Sequence, residues 1–273
     1  TMVYGEEMSQ HDFMQQDETL VVDYNDNLVG ADNKYNTHKF INGQPKGVVH
    51  RAFSIMLFDK HNKMLLQQRA ACKVTFPRVW TNTCCSHPLH GQTPDEVDRT
   101  PREAARAKEP DGIFNAARRK LLHELGITPK ALEGARFKYM GRVHYWAADV
   151  LTHGPDAPWG EHEIDYLVLV RLPCAAADFT MAPNDEEVME VAWVTSEELA
   201  GAAWMASPTL LWSPWFCVIA RELLFGWWAN LDAAWRLKPY ERIRRFDAPP
   251  EHRTAGGLHS GEAARELGGL ADA

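Results

Sequence analysis

Ile113 to Leu125 reads IFNAARRKLLHEL, and Gly126-Ile127 follow it. Apolar residues stand at 113, 117, 121, 122 and 125, the spacing of one face of an α-helix. Gly126 lies where a left-handed C-cap residue is expected. Taken alone, the segment is an amphipathic helix with solvated charges. Its neighbours decide what it packs on. Upstream, Leu20-Val21-Val22 and Leu28-Val29 flank the turn Tyr24-Asn25-Asp26-Asn27, and HRAFSIMLF (50–58) and KMLLQQ (63–68) flank Asp59 to Asn62. Both pairs predict hairpins. Downstream, Tyr166 to Val170 (YLVLV) is a continuous apolar run, hence a buried strand, and Val188 to Val194 is another strand candidate. Thr195-Ser196-Glu197-Glu198 predicts a helix start. From Pro214 a long aromatic helix is expected to about Leu231. Interleaved strands and helices with hairpins predict one α/β domain, a mixed sheet with helices packed on it.

A chain of 273 residues can bury one well-formed core. The expected organisation is an N-terminal arm (1–17), a domain over 18–246 with a polar surface insertion at 91–112, and a disordered tail (247–273) poor in large apolar groups. A net charge of -8 disfavours a nucleic-acid binder. An anionic substrate must therefore be met by local Lys and Arg or by metal ions. No apolar run reaches the length of a membrane span, and the start carries no secretory pattern. The cysteines, at 72, 84, 85, 174 and 217, are odd in number and lack framework spacing, which argues for a reducing compartment.

Two short runs carry chemistry. In Asn82 to Leu89 (NTCCSHPL), Cys85 and His87 are two apart, so an extended backbone turns both to one face and Cys84 to the other. In Gly160 to Asp165 (GEHEID), Glu161 and Glu163 share a face and His162 lies opposite. A lone cysteine is most often a small buried hydrophobe, but Cys85 is flanked by Asn, Thr, Ser and His. His38 and His50 bracket a Gly/Pro-containing loop, Ile41 to Gly47. Three histidines with Glu161 and Glu163 form an N/O set that suits Mn²⁺, Mg²⁺ or Fe²⁺ better than a structural Zn²⁺ site. Trp215, in Ser213-Pro214-Trp215 at a helix start, can turn an indole face toward a positive charge.

The helix segment RKLLHELGI (119–127) resembles the Nudix signature: Arg119, Leu121, Glu124, Gly126 and Ile127 fit, while Lys120 and His123 replace two metal-binding glutamates. HRAFSIMLF (50–58), LLQQR (65–69), TFPRVWTNTCCSHPL (75–89), RRKLLHELGI (118–127), WGEHEIDYLVLV (159–170), PNDEEV (183–188) and SPWF (213–216) together resemble type I isopentenyl-diphosphate isomerase, especially its plant and algal members. The resemblance covers about Leu20 to Leu231.

The resemblance implies a Nudix-like α/β/α sandwich and a metal-assisted 1,3-proton shift through a carbocation, in isoprenoid biosynthesis. It implies Cys85 and Glu163 as the opposed acid–base pair, with Trp215 facing the cation and Tyr145 nearby. His38, His50, His87, Glu161 and Glu163 match ligands of one tightly held divalent ion, Mn²⁺, Mg²⁺ or Zn²⁺. Lys34, Arg69, Lys73, Ser86 and Lys120 match groups that bind the diphosphate of a small allylic or homoallylic substrate. Glu124 and the Cys85 carbonyl match ligands of a Mg²⁺ carried by that diphosphate. A monomer is expected, in plastid stroma or cytoplasm. The rival is a Nudix diphosphohydrolase, which lacks carboxylates here at 120 and 123. A non-catalytic metal-binding module is opposed by the paired glutamates and the basic residues. A cysteine hydrolase lacks an oxyanion-hole pattern.

Overall fold

The continuous apolar runs become the centre of the sheet. A computed structural model of the chain describes residues 8–40, 47–99 and 109–252. Most of the Ile41–Gly47 loop, positions 100–108 of the polar segment and positions 253–273 lie outside the described residues. The strands are β1 (Glu18–Val22), β2 (Leu28–Asn33), β3 (His50–Phe58), β4 (Met64–Arg69), β5 (Trp80–Thr81), β6 (Cys84–Ser86), β7 (Arg136–Ala148), β8 (Gly160–Arg171), β9 (Val188–Val194) and β10 (Arg244–Arg245). The helices are α1 (Gln10–Gln16), α2 (Lys34–His38), α3 (Asp111–Leu125), α4 (Val150–His153), α5 (Ser196–Ala200), α6 (Pro214–Ile219), α7 (Phe225–Trp228) and α8 (Leu231–Ala234).

β3 and β8 run parallel and in register from His50↔Glu163 to Phe58↔Arg171. Parallel central strands are covered on both faces, which is why both read as nearly unbroken apolar sequence. The other edge of β3 is divided: β1 meets it at His50, β6 at 53–55 and β4 at Phe58. The hairpin expected for 50–58 and 63–68 therefore pairs only at its turn. β4 then diverges to pair with β5 and β9.

Alternation along the strands sends side chains to two cores. Phe53, Ile55, Leu57, Tyr166 and Val168 pack with Ala117, Leu121 and Leu125 of α3 on one face. Met56, Phe58, Leu167 and Leu169 pack with Trp215, Phe216 and Trp227 on the other. This is an α/β/α sandwich. α3 ends as its sequence requires: Gly126 has φ +61, and its N–H caps the Leu121 and Leu122 carbonyls. The aromatic helix is less regular than expected. It passes through a π turn at Ala220–Leu224, stops at Trp228, and a separate helix α8 follows.

The chain's polar segments are also tied in. The arm contains α1, closed by a Ser9/Asp12 capping box, with Phe13 and Met14 buried. Within 91–112, read as a surface insertion, Glu96 and Val97 are buried. Glu96 accepts hydrogen bonds from Arg119 and from the Leu89 N–H. Asp98 accepts from the N–H groups of Gly112 and Ile113 and so caps α3. The residues read as the start of the tail lack large apolar groups, yet Ala248 is buried beside Phe40 and Trp146, and the His252 ring is buried against Phe76.

Candidate active site

β6 pairs antiparallel with β3, Ser54 opposite Cys85 and Ile55 opposite Cys84. Alternation puts Cys84 in the α3-side core, where its thiol donates to Glu124 at 3.4 Å. Cys85 turns into a pocket on the other face. That pocket encloses about 420 Å³ of space, part of it open to solvent. Cys85, Glu163, Tyr145 and Trp215 all line it.

Tyr145 reaches this face because β7 carries a bulge. The register shifts between Tyr139 and Gly141, and Gly141 has φ +133. Tyr139 packs on the α3 side, whereas Val143, Tyr145 and Ala147 pack on the other. Without the extra residue, Tyr145 would share the face of Tyr139. The Tyr145 hydroxyl donates to Glu163 Oε2, and its ring lies 6.4 Å from that of Trp215.

Glu161 and Glu163 emerge from β8 on the pocket face, and His162 is turned away to His144, 2.9 Å distant. His38, at the end of α2, His50, at the start of β3, His87, after β6, and Glu161 bring four ligand atoms within 4.8 Å of one another, all buried. The His50 Nδ1–H donates to the Val48 carbonyl at 2.8 Å, which leaves the Nε2 lone pair facing inward. His38 Nε2 and Glu161 Oε2 are buried 3.0 Å apart, and neither has a further hydrogen-bond partner. Burial, then the neighbouring His38, pushes His50 down to about 3, and the same causes hold His87 well below its usual range. Neutral imidazoles are the ligand form. These residues can hold a divalent metal ion. Glu163 stands beside the cluster, Oε1 at 2.8 Å from His87 Nε2 and 3.8 Å from His50 Nε2.

The reacting groups are shaped by burial. Burial pushes the Cys85 thiol up to about 12; Arg69 opposes this, and Glu124 and Glu163 add to it. Burial, reinforced by the charges of Glu161 and Asp165, lifts Glu163 well above the carboxylate range. Burial acts on Glu161 in the same direction, but the facing His38, with His50 and Arg69, outweighs it and holds that carboxyl down to about 2. Burial thus disfavours the charged form of both Cys85 and Glu163.

At the polar end, Lys34, Arg69, Lys73 and Lys120 line the same pocket with Ser86 and Glu124. Lys120 Nζ is 3.1 Å from Glu124 Oε1, and Lys73 Nζ is 2.5 Å from Glu187 Oε2. The residues singled out in the sequence thus fall into one pocket and the ligand cluster behind it. Four others share the location. Thr75 donates to Glu161 at 3.1 Å. Glu187 balances Lys73. Asp165, pushed up by burial to about 8, accepts from Ser54 at 2.8 Å. Asp165 was legible as the next i+2 position after Glu163; Thr75, Ser54 and Glu187 carry no such periodic signal.

The NUDIX domain family matches residues 48–216. The chain is 40% identical over 232 residues to isopentenyl-diphosphate Delta-isomerase I of Camptotheca acuminata, covering 84% of this chain and 89% of that one. It is 39% identical over 231 residues to the chloroplastic isopentenyl-diphosphate Delta-isomerase II of Arabidopsis thaliana, covering 84% and 74%. It is 39% identical over 228 residues to isopentenyl-diphosphate Delta-isomerase 1 of Bos taurus, covering 83% and 91%. The signature helix, the Cys85–Glu163 pocket and these matches agree: the chain belongs to the Nudix family and, within it, to the isopentenyl-diphosphate Delta-isomerases.

Proposed function

We propose that the chain interconverts isopentenyl diphosphate and dimethylallyl diphosphate, and that one chain supplies the whole site. The observation that carries this reading is that Cys85 and Glu163 line one pocket between a cationic cradle and an aromatic wall. A proton added to the terminal alkene carbon leaves a tertiary cation at the branched carbon. Loss of a proton from the carbon on its other side completes the shift. One of Cys85 and Glu163 gives its proton to the alkene carbon while the other, in its deprotonated form, takes the proton the substrate loses, and the pair exchange roles when the reaction runs backward. The Tyr145 hydroxyl orients the Glu163 carboxyl group. The Trp215 face stabilises the cation by about 2 kcal/mol or more in a dry site, and the enclosing side chains keep water from trapping it. His38, His50, His87, Glu161 and Glu163 would hold a divalent ion, whose charge would polarise the Glu163 carboxyl; these N/O donors suit Mn²⁺ or Mg²⁺.

Lys34, Arg69, Lys73, Lys120 and Ser86 hold the diphosphate, with Glu124 and the Cys85 carbonyl as ligands for its Mg²⁺. A hydrolase needs carboxylates at this helix to gather Mg²⁺ around an attacking water. Here Lys120 replaces one, so the anion is held rather than cleaved. All five cysteines are free, which suits the reducing interior of plastid stroma or cytoplasm. The test is turnover in heavy water with Mg²⁺. Isopentenyl diphosphate should give dimethylallyl diphosphate carrying deuterium, with no phosphate released. Phosphate or pyrophosphate appearing as fast as substrate disappears would make the chain a Nudix hydrolase.

A further inference from the structure

The segment Thr75-Phe76 sits where several parts of the pocket meet. The Thr75 and Phe76 carbonyls accept from Arg69 Nη2 and Nε at 2.8 and 2.9 Å. The third nitrogen of that guanidinium, Nη1, is directed at Cys85 Sγ, 3.9 Å away. The guanidinium carbon also lies 5.6 Å from the centre of the Trp215 ring. The Phe76 ring meets Trp215 edge-on at 5.3 Å. One dipeptide therefore sets the position of the cation beside the reactive thiol and of the indole that faces the substrate.

Phe76 holds this place in an unfavourable conformation, with φ +47, a region that residues with a side chain seldom enter. Such a conformation persists only where surrounding contacts over-determine it. The contact on its N–H is Asp149, from beyond the end of β7. Asp149 is fully buried and outside the pocket lining. Its Oδ2 accepts from the Phe76 N–H at 2.8 Å, and its Oδ1 accepts from the Thr152 N–H at 3.2 Å. On the same short helix α4, His153 Nε2 lies 3.2 Å from the Val74 carbonyl. The N-cap and the last residue of α4 thus grip the loop at two points.

We propose that Asp149 is a positioning residue for the isomerisation: it holds Thr75-Phe76 so that their carbonyls lock the Arg69 guanidinium against Cys85 and Trp215. The assignment rests on the isomerase reading above. Arg69 keeps its charge in the diphosphate cradle and Lys34, Lys73 and Lys120 are untouched, so the anion is still held and the loss falls on the chemical step. In Asp149→Ala, kcat for isopentenyl diphosphate should fall about tenfold with KM changed less than threefold. Arg69→Lys removes the fork that spans both carbonyls, so adding Asp149→Ala in that background should cost less than threefold more. A folded Asp149→Ala protein with wild-type kcat overturns the assignment, as does a full tenfold further loss in the Arg69→Lys background. If Asp149→Ala does not fold by circular dichroism, Asp149→Asn replaces it. A carboxamide has one acceptor oxygen and cannot serve both N–H groups, so kcat should fall threefold or more; unchanged kcat overturns the assignment. Wild-type protein is assayed first. No isomerisation there sinks the functional reading, whereas normal wild-type turnover with unaffected variants sinks only the role of Asp149.

Discussion

At residue 85 the thiol enters the pocket, while its neighbour at 84 fills the α3-side core. Cys85→Ala removes one of the two proton-transfer groups and should lower kcat by more than about 100-fold. Cys84→Ala leaves a small cavity and should change kcat by less than about threefold. Turnover of both folded variants checks this; a larger loss at Cys84 reverses the facing argument. Lys34 gives a second test. Burial, with the like charge of Lys73, pushes its pKa down to about 8. It is charged below that pH and neutral above, so the diphosphate loses a charged partner as pH rises. KM should therefore climb roughly tenfold between pH 7 and 9, the worth of one charge-assisted hydrogen bond. Lys34→Arg keeps its charge and should flatten this rise in a KM–pH series.

At the scale of elements, the β7 bulge decides more than its length suggests. A Cβ added at Gly141 would lie 2.8 Å from the Tyr240 Cβ, and the φ of +133 is strained for any side chain. Gly141→Ala should destabilise the fold by about 1–3 kcal/mol, seen as a lower urea midpoint at unchanged slope. Because the bulge turns Tyr145 toward Glu163, kcat should fall as well. Loss of stability with full activity would show that Tyr145 is placed by other means. α3 works similarly: one face packs on the sheet while Lys120 and Glu124 reach the pocket, and Arg119 joins Glu96 to the His87 carbonyl at 3.0 Å.

At the scale of the molecule, the ligand cluster draws on α2, the start of β3, the loop after β6 and β8. An ion bound there ties together segments distant in sequence and binds only the folded chain. Ligand at about a thousandfold over its Kd adds about 4 kcal/mol of stability. Chelation should lower the Tm of the wild-type protein, and Mn²⁺ or Mg²⁺ should restore it. His87→Ala and Glu161→Ala should purify with sharply reduced metal content and show no such response. Full metal occupancy in both variants would remove the cluster from the metal site.

Local pattern made part of this legible. Strand alternation alone paired Cys85 with His87 and Glu161 with Glu163, because side-chain direction in a strand is a matter of counting by two. Helical spacing and a glycine cap marked α3, observed from Asp111 to Leu125. Convergence was beyond local pattern. His50 meets Glu161 and Glu163 only because β3 and β8 lie parallel with His50 opposite Glu163, and His38 reaches Glu161 from α2, pairings set by long-range packing. The bulge at Gly141, the burial of Glu96 and His252, and the grip of Asp149 on Phe76 likewise depend on contacts between residues far apart in the chain. Burial then shifts the proton affinities of Cys85 and Glu163 upward, since it is the low dielectric of the folded interior, and not residue type, that disfavours their charged forms.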